Sequence, residues 1–218
     1  MHELAERRVA DEIPDTLLLL EHPPVFTAGR RSMPEHLLLA EDQLAEMGAE
    51  LHEVDRGGSV TFHGPGQLVG YPIVKLQGKP DVMRYLRDLE EVVIRAGADL
   101  GVEGLHRSEV NTGVWSDDRK ICAIGVKTTR GVTLHGFALN CTTDLSWFGA
   151  IVPCGLEGYG VGTLSQLAGR EITVEEALLV VARRFEETFG LTLLSAPAAQ
   201  AQIAPGGASD RRPAVTKG

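Results

Sequence analysis

Apolar and polar positions recur along this chain with two different periods, and each change of period marks an element. Between residues 81 and 99, Val82, Leu86, Leu89, Val93 and Ala96 return at helical spacing with charges between them, the mark of an amphipathic helix. A second helix is expected from about Val174 to Phe189. Thr173 stands at its N-cap, Glu176 at the capping-box position and Gly190 at its end. Residues 35–47 and the charged segment His2 to Asp11 also read as helical. Short apolar runs bounded by turn residues predict strands. These are Thr16 to Leu20, expected to be buried, then Glu50 to Asp55, Leu68 to Val74, Asn111 to Trp115, Ile121 to Thr128 and Val132 to Asn140. Asp117-Asp118-Arg119 and Thr129-Arg130-Gly131 supply turns that make hairpins of the last three. Pro23 and Pro24 remove two N–H donors and take the chain out of regular structure after the first strand. Trp147 to Gly162 reads as a glycine-rich loop. Hairpin strands mixed with a few helices predict an α+β, or mixed α/β, domain with a largely antiparallel sheet and flanking helices.

From about Ala196 the pattern stops. Ala, Pro, Gly and Gln dominate and no aromatic residue occurs, so too little surface can be buried to offset chain entropy. The expected organisation is one domain over residues 1–195 and a disordered tail over 196–218. Apolar residues make up 43% and charged residues 23% of the 218, ordinary globular usage that excludes collagen-like, coiled-coil and wholly disordered chains. Asp and Glu total 30 against 21 Lys and Arg, a formal charge of -9. That balance argues against nucleic acid as a partner and against an anionic membrane surface. Met1 to Asp11 carries charges of both signs and no apolar core of a signal peptide. The longest aliphatic run, Leu17 to Leu20, is too short to span a bilayer. Three cysteines do not make a secreted disulfide framework. A soluble, cytoplasmic protein with reduced thiols is expected.

The cysteines differ in setting. Cys122 and Cys141 lie in strand-like runs, where inert packing is the ordinary reading. Cys154 sits in Val152-Pro153-Cys154-Gly155, where proline fixes the approach and glycine permits a sharp exit. A thiol on such a turn is reachable by substrate, although a turn cysteine with no role is the plainer reading of this tetrapeptide alone. A reactive thiol needs a cation nearby to favour the thiolate. Lys120 and Lys127 bracket the Ile121 strand and are equal candidates on composition. Strand alternation places Lys120 and Cys122 on one face about 7 Å apart, so spacing leaves Cys122 open as the activated thiol. His63, before Gly64-Pro65-Gly66, and His22, before Pro23-Pro24, are either hydrogen-bonded turn residues or site residues. Arg56-Gly57-Gly58 lacks the spacing of a nucleotide loop, and no CxxC or HExxH supports a zinc site.

Five ordered segments go further. Leu17-Leu-Leu-Leu-Glu-His-Pro-Pro-Val-Phe-Thr-Ala-Gly-Arg30, Arg56-Gly-Gly-Ser-Val-Thr-Phe-His-Gly-Pro-Gly-Gln67, Lys120-Ile-Cys-Ala-Ile-Gly125, Leu134-His-Gly-Phe-Ala-Leu-Asn140 and Ile151-Val-Pro-Cys-Gly155 together resemble the octanoyltransferases of lipoic acid biosynthesis. The resemblance spans roughly residues 2–190. It implies a fold like the catalytic domain of biotin and lipoate protein ligases. It also implies transfer of octanoyl from octanoyl-acyl carrier protein to a lysine of lipoyl domains, those of 2-oxoacid dehydrogenase E2 subunits and of the glycine cleavage H protein. Carried onto this chain, the family's thioester-forming cysteine is Cys154 and its assisting lysine is Lys120. The family's acyl-binding segments fall on Arg56, Gly57, Gly58, Ser59, Val60, Thr61, Phe62 and His63, on Ala123, Ile124 and Gly125, and on Gly136, Phe137 and Ala138. Neither ATP, a metal nor another cofactor is implied, because a thioester going to an amide runs downhill. Val60, Phe62, Ile124 and Phe137 are candidates for the wall of an acyl tunnel or for ordinary core. Two departures stand out: the family usually places a strand before the helix on which this chain starts, and Cys122 occupies a position where small apolar residues are common. Two rivals remain. An adenylating lipoate or biotin ligase has no need of the Cys154 thiol, and a non-catalytic module for lipoyl domains or carrier proteins has no need of a Cys154–Lys120 pair.

Overall fold

Strands that pair with distant strands, more than local propensity, decide the architecture. The computed structural model describes residues 1–152 and 158–194. Helix α1 (His2–Val9) leads into β1 (Thr16–Leu20) and β2 (Val25–Ala28). A 3₁₀ turn (Pro34–His36), α2 (Glu41–Glu46), β3 (Glu50–Glu53), β4 (Val60–His63) and β5 (Gln67–Ile73) follow. Then come α3 (Val82–Asp99), β6 (His106–Arg107), β7 (Gly113–Ser116), β8 (Arg119–Thr129) and β9 (Val132–Asn140). A second 3₁₀ turn (Leu145–Ala150), β10 (Gly160–Val161), α4 (Leu164–Ala168) and α5 (Val174–Phe189) complete the described chain. The main sheet runs β1-β5-β9-β8-β7-β6, antiparallel throughout, with β10 added parallel to β8. A smaller sheet, β3-β2-β4, stands beside it. The mixed α/β class with a largely antiparallel sheet is what the pattern of hairpins and helices predicts. Among the described residues, no helix is long and apolar enough to cross a membrane.

The core follows from the two periods. Helix α3 turns Tyr85, Leu89, Val92, Val93 and Ala96 inward, and α5 turns Ala177, Val181 and Phe185 inward, onto Leu68, Val114, Ile121 and Leu139 of the main sheet. Thr173 Oγ1 caps α5 by accepting from Glu176 N at 3.2 Å, and Gly190 ends it in the left-handed region at φ 64°. The Glu176 carboxylate does not fold back onto the cap; Arg170 takes it at 2.8 Å. On the other side of the sheet, α1 lays Ala5 against Ile73, Val132 and Leu134. The small sheet has its own core of Phe26, Phe62, Leu44 and Phe148.

Four expectations change. β1 is only half-buried, because it is the edge strand of the main sheet. Residues 35–47 are not one helix, because Leu37 leaves to bridge Ile151 and Leu38 N donates to Ala150 O at 2.9 Å. The region from Trp147 to Gly162 holds the end of a 3₁₀ turn and β10 rather than loop alone. In β8, Val114 pairs with Cys122 but Trp115 pairs with Lys120, so Ile121 is an extra residue opposite the β7 step. Such a bulge reverses the alternation. Lys120 and Trp115 therefore share one face, and Cys122 and Val114 share the other.

Candidate active site

A cavity of about 1170 Å³ lies between the small sheet and the main sheet. Its walls include Arg56 to Thr61 and His63 from one side, and residues 123–126 and 135–138 from β8 and β9. The three segments singled out in the sequence thus come together on one groove, with one exception. Phe62 is turned away. Alternation in β4 sends Thr61 and His63 toward the groove and Phe62 to the opposite face, where its ring lies 5.2 Å from Phe26 and stacks on Trp147 at 5.1 Å. Ile124 and Phe137 serve both roles, lining the cavity and packing on the main core.

Arg56 is nearly buried and organises the loop it belongs to. Its Nη1 donates to Ser59 O at 2.7 Å and Gly57 O at 3.1 Å, and its Nη2 donates to Thr27 O at 2.7 Å and Thr27 Oγ1 at 2.9 Å. Gly57 N donates to Val126 O at 3.0 Å, which lays the loop across β8. His63 is also buried. Its Nδ1 lies 2.8 Å from Gln67 Oε1 and its Nε2 3.4 Å from Thr27 Oγ1. Burial pushes its imidazole down to about 4. His22 packs at 5.8 Å from the His63 ring and meets the Tyr71 hydroxyl at 2.8 Å. Burial lowers the His22 pKa and lifts the Tyr71 phenol to about 12. Thr27, Tyr71 and Asp55 were not singled out from sequence. Thr27 lies within the first quoted segment, which was the available signal.

Lys120 is buried at the leading end of β8, between Trp115 of β7 and Val161 of β10. Its Nζ lies 4.7 Å over the Trp115 ring and 3.4 Å from Thr112 O. Its rival, Lys127, is committed elsewhere: Nζ donates to Asp55 Oδ2 at 2.6 Å, while His135 Nε2 donates to Asp55 Oδ1 at 2.7 Å. His2 approaches the same carboxylate and imidazole closely enough for three metal ligands. Both Asp55 oxygens are already bonded, by Lys127 and His135, and this Lys127–Asp55–His135 clip ties the 55–58 loop to the β8–β9 ladder. Cys122 has no exposed surface, and burial pushes its thiol far above the ordinary range. Cys141 is likewise buried and raised to about 12. Neither is a thiolate near neutral pH. Cys154 lies outside the described residues.

Residues 1–186 match the lipoyl protein ligase A/B catalytic domain. The chain is 54% identical over 190 residues to an octanoyltransferase of Rubrobacter xylanophilus, covering 86% of this chain and 85% of that one. It is 50% identical over 184 residues to an octanoyltransferase of Thermobifida fusca, covering 81% and 75%. The chain belongs to the octanoyltransferase family. This octanoyltransferase also superposes on lipoate-protein ligase A bound with ATP, with a TM-score of 0.74 at 18% identity over 88% of this chain and 82% of that one. Protein Ta0514 from T. acidophilum with bound lipoic acid gives 0.72 at 18% identity, over 86% and 80%. These two likenesses establish the fold alone: the octanoyltransferase is built on the lipoate ligase scaffold, and its activity is that of an acyltransferase.

Proposed function

We propose that this octanoyltransferase works in the cytoplasm through a Cys154 thioester, with Lys120 as its partner. The donor is octanoyl-acyl carrier protein and the acceptor a lysine of lipoyl domains, those of 2-oxoacid dehydrogenase E2 subunits and of the glycine cleavage H protein. The catalytic unit is residues 1–195. One observation carries the reading. The described flanks of the Pro153-Cys154-Gly155 segment are anchored at the groove and at Lys120. Before it, Val152 N donates to His36 O at 2.9 Å, and His36 Nδ1 meets Ser59 Oγ of the groove wall at 2.6 Å. After it, Val161 pairs with Lys120 and Gly162 N donates to Lys120 O at 3.1 Å. The Trp115 ring beneath Lys120 Nζ supports a cation held in place for a thiolate.

In the first half, Cys154 Sγ attacks the thioester carbonyl carbon. The C–S bond to the carrier breaks and the carrier leaves as its thiol, with the proton taken from the Lys120 ammonium. In the second half, the acceptor amine attacks the new thioester, its proton passes to the now neutral Lys120, and Cys154 leaves as the thiolate as the amide forms, which restores the starting pair. The groove receives the eight-carbon chain, each buried methylene contributing about 0.8 kcal/mol. Intact-mass measurement after incubation with the octanoyl donor tests the scheme. One octanoyl adduct is expected without ATP. Cys154→Ser gains none, Lys120→Arg acylates slowly, and Cys122→Ser acylates like the parent. An adduct that survives in Cys154→Ser, or a requirement for ATP, overturns it.

A further inference from the structure

The polar chain behind the groove has a direction, and both of its ends dictate it. At one end is a guanidinium, which only donates. Arg56 Nη2 gives a hydrogen bond to Thr27 Oγ1 at 2.9 Å, so a Thr27 lone pair is occupied and its hydroxyl hydrogen is available to His63 Nε2 at 3.4 Å. At the other end is a backbone carbonyl, which only accepts. Gly162 O takes Asn140 Nδ2 at 3.1 Å, which turns Asn140 Oδ1 inward to receive Gln67 Nε2 at 2.8 Å. Gln67 Nε2 gives its second hydrogen to Phe62 O at 3.2 Å. The Gln67 amide therefore cannot be flipped without setting oxygen against two oxygens. Its Oε1 must face His63 Nδ1, at 2.8 Å, and an oxygen there can only accept. The proton sits on Nδ1; the Nε2 lone pair faces the Thr27 hydroxyl at 3.4 Å, a long contact that an incoming N–H displaces.

We propose that this chain, Arg56–Thr27–His63–Gln67–Asn140–Gly162, locks His63 as the neutral Nδ1–H imidazole and presents Nε2 to the groove as a fixed acceptor for an N–H of the attacking amine. His63 lines the groove. The charged and titratable groups that face it are Arg56 from its loop, His22 from the β1–β2 connection and His135 from β9, and each opposes a second proton. The amine is the substrate group concerned because of the chemistry of the two halves. Acyl exchange between thiols brings no N–H to the reacting atoms, whereas amide formation does. A neutral acceptor that takes one N–H aims the amine lone pair at the carbonyl carbon. Gln67 and Asn140 act through His63 and are positioning residues. The role toward the amine rests on the acyl-transfer reading above; the tautomer does not.

Long-range nitrogen spectra of the full chain, with His63 assigned by its loss in His63→Asn, read the tautomer directly. Nδ1 is expected as the protonated, pyrrole-like nitrogen and Nε2 as the pyridine-like one, unchanged from pH 8 to pH 5. In Gln67→Glu the carboxylate should raise the His63 midpoint by at least one unit, a tenfold gain in proton affinity; Asn140→Asp serves as the second variant should the first not fold. Single-turnover transfer from preformed acyl-enzyme to the amine should slow in His63→Asn at least tenfold more than the acylation step does. An Nε2–H form, or a charged ring at pH 7, overturns the lock. A tautomer as expected with both half-reactions slowed equally overturns the role toward the amine. A parent protein that never acylates overturns the earlier reading and leaves the tautomer result standing.

Discussion

Gly125 is where the groove is most sensitive to a single atom. The Arg56–Ser59 loop rests on β8 through Gly57, and a Cβ at Gly125 would stand 2.8 Å from Gly57 O and 3.2 Å from Arg56 Cδ. Neither neighbour is the free end of a flexible side chain: one is backbone and the other is held by the Arg56 hydrogen bonds to Thr27 and Ser59. Gly125→Ala must therefore lift the loop off the strand. Overpacking of this kind costs about 1–3 kcal/mol, and the groove wall moves with it. Chemical denaturation should show that loss, and steady-state kinetics should show a higher KM for the acyl donor. The sequence carried this site as motifs, and motif membership treats every residue of Arg56 to His63 alike. Geometry does not, because a strand faces two ways: Thr61 and His63 reach the cavity while Phe62 fills the core beneath Trp147. Thr27 and Gln67 become informative only when hydrogen-bond partners from other elements are seen.

Among the elements, α3 does more than cover the sheet. Glu90 is fully buried on it, yet its carboxylate is fully engaged. Oε1 accepts from Gly113 N at 3.0 Å, and Oε2 pairs with Arg87 Nη1 at 2.7 Å and Arg107 Nε at 3.4 Å. The helix thus holds the start of β7, the strand that pairs with Lys120. Glu90→Ala would leave the buried Gly113 N–H without its acceptor and remove the Arg87 pair, while Arg107 keeps Glu91 at 2.5 Å; an unsatisfied buried donor of this kind costs about 1–3 kcal/mol. Urea melts should register that loss, and the acylation rate should fall with it because Thr112 and Trp115 frame Lys120. Helices α3 and α5 were legible because their periods run for several turns and Asp81 and Thr173 cap them locally. The bulge at Ile121 was not, since Lys120 to Gly125 reads as an unbroken strand and the extra residue exists only relative to β7. For the same reason, β2 was hidden. Four residues after a proline pair carry no signal until β3 and β4 claim them on either side.

Over the whole molecule, the buried histidines set how stability follows pH. Burial lowers the pKa of His63, His22 and His135 together, and for His63 the value is about 4 against an ordinary 6.5. A histidine depressed in the folded state is protonated first in the unfolded chain. As pH falls below about 6.5 the unfolded state binds more protons, and stability declines until the folded value is reached. For His63 that window runs from about 6.5 to about 4 and is worth on the order of 3 kcal/mol. The carboxylates act lower. Lys127 and His135 hold Asp55 at about 2, and Arg184 with Arg183 holds Asp99 at about 2. Their stabilisation is present above the ordinary carboxylate range and disappears as pH falls from about 4 toward 2. Both groups are well solvated, so this second step is the shallower one per residue. Urea melts at pH 7.5, 6, 5 and 4 should therefore show stability already falling between 6.5 and 4, before carboxylate titration begins in earnest. In His63→Asn that early slope should flatten while the fall below pH 4 persists. An early slope unchanged by the substitution would mean that His63 is not the buried neutral ring its hydrogen-bond chain requires.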